Sequence, residues 1–292
     1  MKQKLSQIHT KIVYLHNCII HLLMKTITNQ YILVNTDFSK TGTIAVLHGI
    51  KLSILLNKNL YLININNKKI GENKNKLKII SENIHNEYNI EVAYDIIPGK
   101  PEKLNEIKSI ASGLKKNIDP LLIIIGINNN IKGLLKLIKI SKTPIISIQN
   151  KNLTKDFYNN IIVPMDFLKE AKEKLLWAIY FGKNIGSTIH FLFAEEKDEY
   201  LHQKSEDNLM FTKKTLSNYP NIKYKIHKIN RGKKSIDECA LIFTKEEIPG
   251  LIIIMRNKNY IFSRPEKKII LNNEKNSIMC LNRNENFYVP CI

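Results

Sequence analysis

At 292 residues the chain is long enough for two ordinary domains, each able to bury a core. A hydrophobic share of 43% and a charged share of 24% match ordinary soluble globular proteins. The net charge of +19 favours phosphate-rich partners, but Lys, Asn and Ile crowd the whole chain, and drift toward AT-rich codons raises charge without selection for binding. The Lys-rich stretches at 68–78 and 100–116 fall in different elements and carry no Arg–aromatic pattern, so a nucleic-acid surface is the weaker reading.

Residues 1–27 read as an N-terminal extension, with a misplaced start as one explanation. Lys2 and Lys4 precede an apolar stretch at 12–23, the order found in signal peptides. His16, Asn17 and His21 interrupt that stretch, and it is too short to span a bilayer. No small-x-small cleavage pattern follows, and Met24 offers a cleaner start. An amphipathic helix is the alternative. The four cysteines (Cys18, Cys239, Cys280, Cys291) show neither C-x-x-C spacing nor a neighbouring His pair, which argues against a zinc site or a disulfide framework. A reducing, cytoplasmic setting without a membrane follows as an expectation.

Strand and helix then alternate. Strands are expected at 31–34, 60–65, 90–97, 121–125 and 144–148. Helices are expected at 41–56, 76–86, 102–115 and around Leu134–Ile138. In the first helix Ile44, Leu47, Ile50 and Ile54 or Leu55 read as the buried face. The same order returns with strands at 161–163, 189–194, 222–229, 251–254 and 277–281. The matching helices are expected at 170–184, 203–217 (with Leu209, Phe211 and Leu216), 235–244 and 266–272. Asn35-Thr36-Asp37-Phe38 and Pro164-Met165-Asp166-Phe167 occupy the same place at an offset of about 129. The chain is thus two copies of one α/β unit, at 28–150 and 158–283, with a tail at 284–292. Alternation demands crossover connections and hence parallel sheets covered on both faces.

These features resemble the universal stress protein family, in its tandem two-domain form. Repeat two carries the closer likeness, in IIVPMDF, WAIYFGKNIGSTIHFLFA and SIMCLNRNENFYVPCI, which resemble Bacteroidetes-type members. The resemblance implies two open five-stranded parallel sheets flanked by helices, a Rossmann-like fold of the adenine-nucleotide alpha-hydrolase type. It also implies pairing through the last strands, so that 145–148 meets 278–281 as an intramolecular pseudo-dimer, with a further homo-oligomer conceivable. That pairing would cover two sheet edges.

Many members of that family bind ATP through G-x-x-G-x(9)-G-[ST], where glycines let backbone N–H groups reach phosphates at a helix N-terminus. Here Gly126 stands at the first glycine, Asn129 takes the second, and Gly133 lies out of register. In repeat two Met255 replaces the first glycine and Ser263 falls near the late one. Asp37 and Asp166 match the acid that the family places near adenosine. A turn acid holding the next helix is the competing reading for both. Gly126 reads equally as a ligand-lining residue or as a bend after a strand.

Trp177 reads as core or inter-repeat packing. His190 lacks a partner acid at a legible spacing, and Ser39 lacks a nucleophile's context. The expected function is a non-catalytic stress-response binding or regulatory module with a degenerate nucleotide site. One alternative is an ATP-binding protein with slow hydrolysis that uses Asp37, Gly126 and Gly133. The other is a basic nucleic-acid-associated protein.

Overall fold

The computed structural model describes residues 30–99, 107, 119–127, 131–149, 157–166, 171–246, 250–256, 270 and 276–282. The extension at 1–27, the helix at 102–115 save Ile107, the helix at 266–272 save Ile270, and the tail at 284–292 lie outside them.

Repeat one runs β1 (Gln30–Asn35), α1 (Lys40–Leu56), β2 (Asn59–Ile65), α2 (Ile70–Tyr88), β3 (Val92–Ile97), β4 (Asp119–Gly126), α3 (Ile131–Ile140) and β5 (Ile145–Ile148). A 3-10 turn at Phe157–Asn159 leads into repeat two. There follow β6 (Asn160–Met165), α4 (Ala171–Ile185), β7 (Thr188–Ala194), α5 (Glu199–Leu216), β8 (Tyr224–Ile229), α6 (Ile236–Glu246), β9 (Leu251–Met255) and β10 (Ser277–Leu281).

The strands form one sheet in the order β3-β2-β1-β4-β5-β10-β9-β6-β7-β8. Pairing is parallel within each repeat and antiparallel at the joint, where Ser147, Ile146 and Ile145 face Ile278, Met279 and Cys280. The pairing of 145–148 with 278–281 is therefore as expected, but the two sheets are joined into one of ten strands. The physical reason is that β5 and β10 are buried along their whole length, so each needs a partner for its outer edge.

Alternation along each strand divides the core by face. Ile32 and Val34 point into a cluster with α1, α2, α4 and α5, whereas Leu33 points into a second cluster with α3 and α6. Both clusters cross the joint. Small residues set the seating of α1: a Cβ on Gly49 would stand 2.5 Å from Val34 Cγ2. That contact makes Ala45, Gly49, Leu52 and Leu56 the stripe against the sheet. Ile44, Ile50, Leu209 and Leu216 are buried as read from sequence, whereas Leu47 and Ile54 are 43% and 50% exposed, and Phe211 on α5 is also exposed.

Polar contacts reinforce the joint with the same pseudo-two-fold symmetry. Gln149, just after β5, donates to the Ile270 carbonyl at 2.7 Å. Asn282, just after β10, donates to the Ile138 and Ser141 carbonyls. Asn282 thus caps the C-terminal end of α3 of the other repeat.

Candidate functional site

The strand order reverses between β1 and β4 in repeat one, and between β6 and β9 in repeat two. In open α/β sheets the crevice beyond the carboxyl ends of such strands is where ligands sit. Asp37 and Gly126 flank the first crevice, and Asp166 flanks the second.

In repeat one the loop after β1 is tied to itself. Asp37 is exposed, and its Oδ1 accepts from the Ser39 backbone at 3.0 Å and from the Ser39 hydroxyl. Ser39 is the N-cap of α1 and accepts from Gly42 N–H at 3.1 Å. Phe38 between them has φ 60, a strained value for a bulky residue. Asn64 donates to the Thr36 carbonyl at 2.7 Å, and Asn73 donates to Asn64 at 3.1 Å. Gly126 touches the same helix start: a Cβ there would stand 2.5 Å from Thr41 O and 2.7 Å from Thr41 C. Its missing side chain thus lets β4 reach α1. Gly133 is buried in the first turn of α3, which follows β4 at the same end of the sheet. The amide oxygen of Asn35 is buried at the end of β1 without a hydrogen-bond partner.

In repeat two the cations turn inward. Lys174 is 1% exposed, donates to the Pro164 carbonyl, and lies 3.8 Å from the Asp166 carboxylate. Asn208 donates to the Asp166 carbonyl at 2.8 Å. Arg256 follows β9 at the place of Ile127 in repeat one and donates to the Lys139 carbonyl across the joint at 2.9 Å. Arg231 grips Glu196 through two bonds of 2.9 and 2.8 Å, which hold the guanidinium further above its ordinary range.

Two histidines acquired partners that no local spacing announced. His48 on α1 shares a 2.7 Å hydrogen bond with Tyr158 of the 3-10 turn, 110 residues away. Burial pushes His48 down to about 4 and pushes the Tyr158 phenol up. His190 stacks on His227 at 5.4 Å between ring centroids, and its Nδ1 lies 3.2 Å from His227 Nε2. Burial lowers it to about 4, with smaller contributions from His227 and Lys225. Asn160 holds its other nitrogen at 3.3 Å, so no carboxylate activates it. Trp177 is buried against Tyr180 and Phe181, as core packing requires. Among the described residues no group of three His, Cys, Asp or Glu side chains could hold a metal ion, and no helix is long and apolar enough to cross a membrane.

The geometry defines the class: a tandem Rossmann-like α/β protein with a topological switch point in each repeat. Among solved structures, a universal stress protein from Archaeoglobus fulgidus DSM 4304 superposes with a TM-score of 0.68 at 16% identity, covering 88% of this chain and all of that one. A functionally unknown protein from Pseudomonas aeruginosa PAO1 follows, with a TM-score of 0.61, 12% identity, and 89% and 95% of the two chains covered. A protein assigned to the universal stress proteins, from Pseudomonas aeruginosa UCBPP-PA14, gives 0.61 at 11% identity, over 91% and 96%. The chain thus has the fold of the universal stress proteins over about nine tenths of its length. No protein-family model matches the chain, and no curated protein matches it.

Proposed function

We propose that the chain is a tandem member of the universal stress protein family that works as a non-catalytic binding or regulatory module, with its nucleotide crevices degenerate. One observation carries this reading: the groups at both crevices are engaged by the chain itself. Asp37 serves Ser39 and Gly126 leaves room only for the Thr41 backbone, while Lys174 and Arg256 are directed at internal acceptors. A phosphate cradle needs aligned free N–H groups or cations; among the described residues at the crevices no such set stands in order, and Asn129 and Ser263 lie outside those residues.

A second reading, ATP binding in repeat one, is favoured by the exposed Asp37 carboxylate and the unsatisfied Asn35 amide oxygen at the end of β1. Calorimetric titration of the folded full chain with Mg-ATP, beside AMP, separates the two. The degenerate reading expects no saturable heat at roughly millimolar ligand, the weak end of measurable affinity. Saturable binding near one site per chain that Asp37→Asn weakens would overturn it in favour of the second.

A further inference from the structure

The internal joint covers β5 and β10 but leaves β3 and β8 as the outer edges of the ten-stranded sheet. Their charges are opposite. Residues 79–99, the end of α2 and all of β3, hold four carboxylates (Glu82, Glu87, Glu91, Asp95) and no Lys or Arg, in a chain of net charge +19; Lys78, just before them, lies 3.7 Å from Glu82, so Glu87, Glu91 and Asp95 carry the acidic character of this edge. Residues 208–236, the end of α5 and all of β8, hold eight Lys or Arg and no Asp or Glu; Lys228 is already held by Glu206 of α5 at 2.9 Å, which leaves the exposed Lys225 as the leading cation of the strand. A groove of about 340 Å³ opens beside β3, lined by Ser81, Glu82, His85, Asn86, Glu91 and Val92.

We propose that the acidic β3 edge of one copy receives the basic β8 edge of a second copy, giving head-to-tail association. Strand direction fits. Each repeat is parallel within itself and the joint is antiparallel, so β3 and β8 run oppositely. A second copy laid alongside in the same orientation therefore brings β3 antiparallel to β8, as at the internal joint.

Face fits as well. Val92, Tyr94 and Ile96 pack on the first core cluster and Ala93 on the second, so Asp95 lies on the second face. Ile226 packs on the first cluster and Ile229 on the second, so Lys225 shares the face of Asp95 and Lys228 the opposite one. The register that sets Lys225 opposite Asp95 also sets Ile226 opposite Tyr94. It places Lys228, with its own Glu206 at 2.9 Å, opposite Val92, so that the Lys225–Asp95 pair is the charge contact of this register.

Like-with-like pairing of two β3 or two β8 edges would set equal charges face to face, which destabilises a strand pair. The contact is short. Ser81 already holds the Val92 carbonyl and Asp95 the Ile96 N–H, so the charges and the Tyr94 peptide carry it. The overall positive charge opposes association at long range. Salt at about 0.15 M screens that repulsion beyond about 8 Å while leaving contacts across a strand pair in place. Such a heterologous contact gives an open chain of copies rather than a closed dimer.

The test is sedimentation velocity of the full chain at about 0.15 M salt, over concentrations up to roughly 100 µM, suited to a small transient interface. Wild type is expected to gain mass with concentration. Lys225→Glu alone and Asp95→Lys alone are expected to stay monomeric, and their equimolar mixture to recover association, because each supplies the edge the other lacks. Glu91→Lys stands in if Asp95→Lys shows a disturbed circular dichroism spectrum. A wild type that is monomeric throughout, single variants that associate as wild type does, or a mixture that fails to recover would each overturn the proposal.

Discussion

At the scale of single residues, the buried histidines link this fold to pH. His48 titrates at about 4 in the folded chain and near 6.5 when unfolded. Between those values the unfolded chain binds the extra proton, so stability is complete above pH 6.5 and falls as pH drops through 4. For this one residue the loss approaches about 3 kcal/mol. Urea unfolding of His48→Gln across pH 4–7 is expected to show a shallower slope than wild type; an equal slope would place the acid sensitivity elsewhere. Tyr158→Phe strips the partner from a buried imidazole and should cost about 1–3 kcal/mol at pH 7. Gly126→Ala pushes a methyl into the α1 backbone and should cost about 1–3 kcal/mol in thermal unfolding, with or without any ligand. Lost binding in a Gly126 variant would therefore say little about a nucleotide, and Asp37→Asn is the cleaner probe.

At the scale of elements, apolar periodicity marked where helices run better than which side they bury. The α1 stripe is set by Gly49 against Val34, and a glycine carries no weight in a hydrophobic pattern. Leu47 and Ile54 looked like core positions and are exposed for that reason. The first turns of α2 were illegible because Ile70–Asn75 is exposed except for Asn73, so it carries no apolar stripe. That end of the helix is held instead by Lys76 on Glu72 at 2.7 Å and Asn73 on Asn64 at 3.1 Å. Gly71 lies there with nothing within 4 Å of an added Cβ. Gly71→Ala is expected to stabilise the chain by about 0.5–1 kcal/mol, read as a higher thermal midpoint, because alanine loses less backbone freedom on entering a helix.

At the scale of the whole molecule, the joint makes two repeats behave as one body. Both core clusters cross it, and Gln149 and Asn282 donate to backbone carbonyls of the opposite repeat. The single tryptophan, Trp177, reports repeat two alone, whereas far-ultraviolet circular dichroism reports both. Their urea transitions are expected to coincide. Two separated midpoints would show that the repeats unfold independently. Met279→Asp buries a charge opposite Ile146 in the joint and should abolish the cooperative transition.

The duplication, the order of strands and helices, the parallel sheets and the meeting of 145–148 with 278–281 were all legible in the amino-acid sequence. The duplication and the order of elements rest on local periodicity and on a repeated offset, which a one-dimensional pattern preserves, whereas the meeting of 145–148 with 278–281 came only from the family resemblance. The partners of the polar side chains were decided by tertiary structure. Lys174 turned to the Pro164 carbonyl and Arg256 to the Lys139 carbonyl of the other repeat, while His48 found Tyr158. A buried polar group takes whichever partner the fold brings within hydrogen-bond reach, and spacing along the chain does not encode that partner when it lies a hundred residues away.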